Sequence, residues 1–92
     1  MDLAELRDEI ADLDRQIIEL ICRRIAAAEE IGHIKMAQNL PIVNKEVEAK
    51  VIERYRSASE RTGLNSTFLE KIAKALIQEA VDHELAISPK DV

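Results

Sequence analysis

A chain of 92 residues with a net charge of −5 is too small for several domains and too acidic for a broad nucleic-acid surface. It is 47% hydrophobic but only 2% aromatic, with two glycines and two prolines, which favours helices. No apolar run approaches the roughly 20 residues that cross a bilayer, so we expect no membrane contact. The single cysteine, Cys22, excludes an internal disulfide and predicts a cytoplasmic protein.

The first predicted helix is very long and runs from about residue 3 to residue 35. Its apolar residues return every three or four positions and so form one face: Leu3, Leu6, Ile10, Leu13, Ile17, Leu20, Ala27, Ile31 and Ile34. Such a helix spans about 50 Å, which is wider than a compact chain of this size. Because one chain cannot cover the whole face, we expect a second copy to cover it.

Two cations interrupt this apolar face. Arg24 stands where the next apolar residue is due, and Lys35 ends the row. Their spacing is about three helical turns, so both side chains share one face, roughly 16 Å apart along the axis. A charge on a buried face is costly unless an opposite charge compensates it. Either an ion-pair partner in the chain or an anionic ligand would provide that charge.

Two shorter helices follow a loop that contains proline. They are predicted over about residues 45–61 and residues 67–86. The residues expected to cap or end these helices are Asn44, Gly63, Ser88 and Pro89. The predicted fold class is therefore all-α, with three helices in a single domain over residues 1–92.

Further charged residues also suggest a site. Glu48 and Glu84 follow the apolar spacing of the second and third helices, so each is either an ordinary ion-pair partner or part of a charged site. Arg7 precedes Arg24 by about 25 Å along the first helix. It can approach Arg24 only across an antiparallel helix of a second copy.

The sequence has no pattern typical of a metal site, a phosphate-binding loop or a covalent nucleophile. His33 and His83 have neither the spacing nor the acidic neighbours of metal ligands, and we assign them no role. Any chemistry must therefore depend on charged groups held in place rather than on a covalent intermediate.

Together these residues resemble the all-helical chorismate mutases. The resemblance covers about residues 3–86 and is strongest in L-R-D-E-I-A-D-L-D-R-Q-I-I-E-L-I-C-R-R at residues 6–24 and E-I-G-H-I-K at residues 30–35. It implies an intertwined helical homodimer in which the first helix of each subunit completes the active site of the other. It also implies the Claisen rearrangement of chorismate to prephenate in phenylalanine and tyrosine biosynthesis, with no cofactor.

The resemblance also implies a role for each inward polar residue. Arg24 and the partner's Arg7 would hold the two carboxylates of chorismate. Lys35 would reach a carboxylate and the ether oxygen, and Glu84 would face that oxygen from the third helix. Glu48 would accept a hydrogen bond from the ring hydroxyl. The other expected substrate contacts are Asn44, Ile31, Ile77, Ala80, Val81 and Val47.

Three positions depart from the usual pattern of that family. Val47 stands where an arginine is common, so one cation is missing, and Asn44 stands where an aspartate is usual. Glu84 stands where many relatives carry glutamine. An ionised carboxylate cannot donate a hydrogen bond, so Glu84 must be protonated to donate to the ether oxygen.

Two alternatives to a chorismate mutase remain open. An isochorismate–pyruvate lyase shares the fold and most of the charged positions, although Glu48 is in register for the chorismate hydroxyl and favours the mutase. A non-catalytic regulatory helical dimer is the other alternative. It is disfavoured by the inward charges, because apolar residues at those positions would give a more stable scaffold.

Overall fold

The structure is a computed structural model that describes residues 1–87, all of whose regular structure is helical. The helices are α1 (Leu3–Ala37), α2 (Lys45–Thr62) and α3 (Ser66–Ile87). The prediction of an all-α chain with a very long first helix is confirmed. Each helix end lies within two residues of the predicted position. Ser88 and Pro89, which were expected to end the third helix, lie outside the described residues.

Side-chain caps begin each of the helices. The cap oxygens accept hydrogen bonds from backbone N–H groups three residues later, at 2.8 Å in Asp2–Glu5, 3.2 Å in Asn44–Val47 and 2.9 Å in Asn65–Phe68. These bonds satisfy donors that the first helical turn leaves without partners. Gly63 ends α2 in the left-handed conformation (φ 74°), which glycine adopts without strain. The helix boundaries are therefore encoded locally.

The third helix, α3, is the centre of the fold and packs against both α1 and α2. Within residues 1–87, α1 and α2 make no close contact with each other, so a gap remains between them. The buried residues on α1 all lie in its C-terminal half: Ile25, Ala28 and Gly32. Those on α3 are Leu69, Ala73, Ala80 and Glu84. Glu84 is therefore a charged residue inside a small, mostly apolar core.

The N-terminal half of α1 has no buried residue. The molecule measures 59 × 26 × 15 Å, and its radius of gyration is 16.7 Å, against about 12 Å for a compact chain of this length. Its accessible surface is 7311 Å², compared with roughly 5,400 Å² for a compact monomer of the same mass. Large apolar side chains are exposed along this half: Leu3, Leu6, Ile10, Leu13, Ile17, Ile18, Leu20 and Ile21. Ala27, Ile31 and Ile34 in the C-terminal half are exposed as well, so one chain leaves the whole predicted apolar face uncovered.

None of the helices within residues 1–87 combines the length and the apolar character that crossing a membrane requires.

Candidate active site

The gap between α1 and α2 forms a pocket of about 310 Å³ with α3 as its third wall. This volume is at the lower end of the range typical of small-molecule sites. All the predicted site residues except Arg7 line the pocket. The lining residues that were not predicted as ligand contacts are Ala27, Ala28, Ile42 and Val51. The first two and Val51 belong to helical faces that periodicity reveals, whereas Ile42 lies in the loop, where no periodicity applies.

Arg24 and Lys35 enter the same pocket, as their three-turn spacing on α1 predicts. Arg24 is partly buried, and no carboxylate within residues 1–87 forms an ion pair with it. An internal ion pair, one of the two explanations considered for its position, is therefore not found in the described residues. The positive charge of Arg24 faces a cavity lined mainly by apolar groups.

Lys35 connects α1 to the loop and to α3. Its Nζ donates a hydrogen bond to the backbone oxygen of Ile42 at 2.7 Å and lies 3.5 Å from Oε2 of Glu84. Both ionisable side chains are largely buried, with 21% of the Lys35 side chain and 8% of the Glu84 side chain exposed. An ammonium group carries three N–H donors. Lys35 can therefore hold both contacts and still donate to a ligand in the pocket.

The start of α2 contributes the polar edge of the pocket. Oε1 of Glu48 lies 3.5 Å from Nζ of the exposed Lys45, and an ion pair with such an exposed lysine contributes little to stability. Asn44 uses its side-chain oxygen as the helix cap, so its NH₂ group is the part available to a ligand. Val47 lines the open pocket and is 53% exposed.

Arg7 is the predicted site residue that does not line the pocket. It lies on the exposed half of α1, about 25 Å from Arg24 along the helix axis. A single chain therefore does not bring the two arginines together. The contribution of Arg7 from a second copy stays a prediction.

An apolar groove continues from the pocket along α1. Its volume is about 230 Å³, and its lining includes Arg24, which the groove and the pocket share. The other lining residues are Ile17, Leu20, Ile21, Tyr55, Ile72 and Leu76. The groove therefore exposes an apolar surface directly beside one of the two pocket cations.

His83 makes polar contacts that the sequence analysis missed. Its Nδ1 lies 2.8 Å from Oε1 of Glu29 on α1, and its Nε2 lies 3.2 Å from Oε2 of Glu79 on α3. The hydrogen bond with Glu29 raises the pKa of His83 above its ordinary value of 6.5; burial opposes this shift and Glu79 reinforces it. Glu79 lies one helical turn before His83, so its proximity could be read from the sequence. The proximity of Glu29, which lies on another helix, could not. Within residues 1–87 no cluster of side chains could hold a metal ion.

The chain folds as one long and two shorter helices around a charged pocket. Comparison of its sequence with known protein families shows which class of protein this is. The sequence profile of the family described as "Chorismate mutase type II" matches residues 6–85. The chain therefore belongs to the chorismate mutase type II family.

Several curated proteins are similar to this chain. A "Chorismate mutase" of Methanocaldococcus jannaschii is 30% identical over 76 residues, which cover 83% of this chain and 77% of that protein. A "T-protein" of Haemophilus influenzae is 29% identical over 82 residues, or 89% of this chain and 22% of that protein. A "Bifunctional chorismate mutase/prephenate dehydratase" of Aquifex aeolicus is 42% identical over 53 residues, or 58% of this chain and 15% of that protein. The chain spans about a fifth of the length of the T-proteins that it matches.

Proposed function

We propose that this chain is an isomerase that converts chorismate to prephenate in the biosynthesis of phenylalanine and tyrosine. The observation that carries the proposal is the pocket that Arg24, Lys35, Glu48 and Glu84 share between otherwise apolar walls. Membership of the chorismate mutase type II family supports it. So does the similarity to a protein named chorismate mutase, 77% of which this chain covers.

The first task of the site is to hold a small dianion. The planar guanidinium of Arg24 suits a carboxylate, because two parallel N–H groups can donate to its two oxygens. Lys35 supplies a second positive charge on the same face of α1, and its remaining donor is free to reach the substrate. A net charge of −5 repels an anion from the protein as a whole, so these local cations must provide the attraction.

The second task is to stabilise charge that develops during the reaction. Cleavage of the C–O bond runs ahead of C–C bond formation, so negative charge builds on the ether oxygen. Lys35 and a protonated Glu84 are the donors proposed for that oxygen. Donors that are already in position lower the barrier because they need no reorganisation during the reaction. The close approach of Lys35 and Glu84 supports a joint role.

The third task is to hold the substrate in a reactive shape. Glu48 accepts from the ring hydroxyl in our proposal, and the NH₂ group of Asn44 lies on the same edge. Ile31, Ile77, Ala80, Val81 and Val47 form the walls that confine the chair-like conformer. Confinement of a flexible molecule near its reactive geometry removes an entropic part of the barrier. The rearrangement is unimolecular, so the proposal requires neither metal nor cofactor.

We further propose that two chains intertwine as a homodimer. The exposed apolar half of α1 supports this, because the excess surface is of the size that the large interface of an obligate homodimer buries on each partner. A helix of the second copy that lies antiparallel in the apolar groove would bring its Arg7 close to Arg24. Two such sites would form per dimer. The cytoplasmic location that the lone cysteine predicts stays a prediction.

The test is to incubate the purified protein separately with chorismate and with isochorismate and to identify the products. We expect chorismate to disappear and prephenate to accumulate, with no pyruvate released from isochorismate. Pyruvate from isochorismate without prephenate from chorismate would identify the lyase instead. A protein inactive on both substrates would contradict an enzymatic function.

A further inference from the structure

Gly32 marks the closest approach of α1 to α3. It is buried, and a Cβ built on it would lie 3.0 Å from Cγ and 3.3 Å from Cβ of Glu84. Real Cβ contacts are rarely this short. Glycine is also less favourable than alanine in the interior of a helix. The packing therefore leaves no room for a side chain at residue 32, and Glu84 is the neighbour that fills this space.

Gly32 and Lys35 lie three residues apart and so occupy the same face of α1, one turn from each other. Glu84 packs against the first and reaches the second, with its Oε2 at 3.5 Å from the lysine Nζ. Only 8% of the Glu84 side chain is exposed, so its carboxylate has little space for another position. The distance between α1 and α3 at Gly32 therefore fixes where the carboxylate of Glu84 lies relative to Lys35.

We propose that Gly32 is a positioning residue for the mutase reaction: it keeps α3 close enough to α1 for Glu84 to act beside Lys35 on the ether oxygen. This inference rests on the proposed function. A methyl group at residue 32 must displace Cβ and Cγ of Glu84 by a few tenths of an ångström. Those atoms are close to the α3 backbone, so the displacement carries the carboxylate with it. Small displacements of catalytic groups lower rates strongly.

A second contact at residue 32 provides an internal control. The same added Cβ would lie 2.9 Å from Cδ1 of Ile87. That atom ends a flexible side chain, which can rotate away at little cost. The proposal therefore assigns the effect of a methyl group to Glu84 and not to Ile87.

The first experiment measures kcat and KM of the parent, Gly32→Ala, Ile87→Ala and the double variant. We expect Gly32→Ala to lower kcat about tenfold or more. KM should change less than about threefold, because the contact of Arg24 with the substrate carboxylate is unaffected. Ile87→Ala alone leaves kcat unchanged, and the double variant stays as slow as Gly32→Ala. Recovery of kcat in the double variant, or no loss of kcat in Gly32→Ala, would overturn the proposal.

The second experiment repeats Gly32→Ala in a Glu84→Ala chain, which lacks Cγ and the carboxylate. Since the main obstacle to the methyl group is then gone, we expect a further change in kcat of less than about twofold. An equal loss in both backgrounds would mean that Gly32 acts independently of Glu84. The same two variants also test for a folding defect. If Gly32→Ala alone is unfolded, adding Glu84→Ala should restore the helical circular dichroism, and failure to do so contradicts the proposal.

Parent turnover is measured first and separates the two claims. A parent that forms no prephenate contradicts the proposed function and this inference with it. A parent that forms prephenate beside a Gly32→Ala variant of equal kcat contradicts the positioning role alone.

Discussion

The two halves of α1 have the same apolar spacing but differ in what one chain buries. Between Leu3 and Ile21 the large apolar side chains are exposed; the other half buries Ile25, Ala28 and Gly32 but leaves Ile31 and Ile34 exposed. The helix has 35 residues and α3 has 22, which correspond to about 52 Å and 33 Å. Apolar periodicity therefore indicates which face of a helix is apolar, while the lengths and positions of the neighbouring helices decide which residues one chain buries.

The charged residues divide in the same way between the two halves. Arg24 and Lys35 lie in the covered half and line the pocket, whereas Arg7 lies in the uncovered half. In the proposed dimer, the uncovered half of one α1 supplies Arg7 to the pocket in the covered half of the other. The following substitutions test this division, from the largest expected effect to the smallest.

A negative charge on the uncovered half should have the largest effect. Ile10→Asp places a carboxylate in the surface that the second copy would bury, so we expect the dimer to dissociate. Each site then loses Arg7, and kcat/KM falls by more than about a thousandfold. Analytical ultracentrifugation and the chorismate assay measure the two effects. Gln16→Asp places the same charge about 120° around the helix from Ile10, beside the exposed Asp12, and should stay dimeric and active; a fully active Ile10→Asp monomer would refute the shared site.

Loss of the clamp in the covered half should leave the dimer intact. Arg24→Ala removes a bidentate carboxylate contact, and we expect kcat/KM to fall about a thousandfold while the sedimentation coefficient is unchanged. Arg23→Ala is the matched control, because its exposed neighbour position does not line the pocket. A loss of only a few-fold in Arg24→Ala would remove Arg24 from the clamp.

Addition of a cation to the pocket should have a moderate effect. Val47 lines the pocket and is half exposed, so an arginine there has room to point towards a bound dianion. We expect Val47→Arg to lower KM for chorismate by roughly tenfold, the usual scale for one additional charge-assisted hydrogen bond. Val47→Gln is the control of similar length without charge and should leave KM close to that of the parent. Equal values of KM in the two variants would contradict a need for positive charge.

The smallest effect concerns the packing of the covered half on α3. A raised pKa of His83 means that its protonated form stabilises the folded state. This contribution is fully present below the ordinary value of 6.5 and is lost as pH rises through the raised value. We therefore expect the Tm difference between the parent and His83→Gln to be larger at about pH 5.5 than at about pH 9. His33→Gln, at an exposed position, should give no such dependence; a difference independent of pH in His83→Gln would exclude the ion pair with Glu29.

Most of the fold could be predicted because its signals are local. The residues Asp2, Asn44 and Gly63 begin or end helices through contacts within a single turn. The spacing of Arg24 and Lys35 along one helix also determined that they would face the same pocket. These features depend on helical geometry alone, which sequence separation specifies directly.

The parts that could not be predicted depend on contacts between distant segments. His83 and Glu29 are 54 residues apart, and no spacing rule relates residues on two different helices. The Lys35 bond to the backbone of Ile42 depends on the path of the loop, which apolar periodicity does not describe. The tight packing of Gly32 on Glu84 was missed for the same reason, since it depends on how closely α3 approaches α1.

The most direct test of the account is to refold Arg7→Ala and Arg24→Ala chains together in equal amounts. In a mixed dimer one site contains both substitutions, while the other contains an intact Arg24 from one chain and an intact Arg7 from its partner. Random pairing makes half the dimers mixed, so we predict about a quarter of the parent activity per chain from two variants that are each nearly inactive. A mixture no more active than the two variants assayed separately would contradict a site shared between two copies of α1.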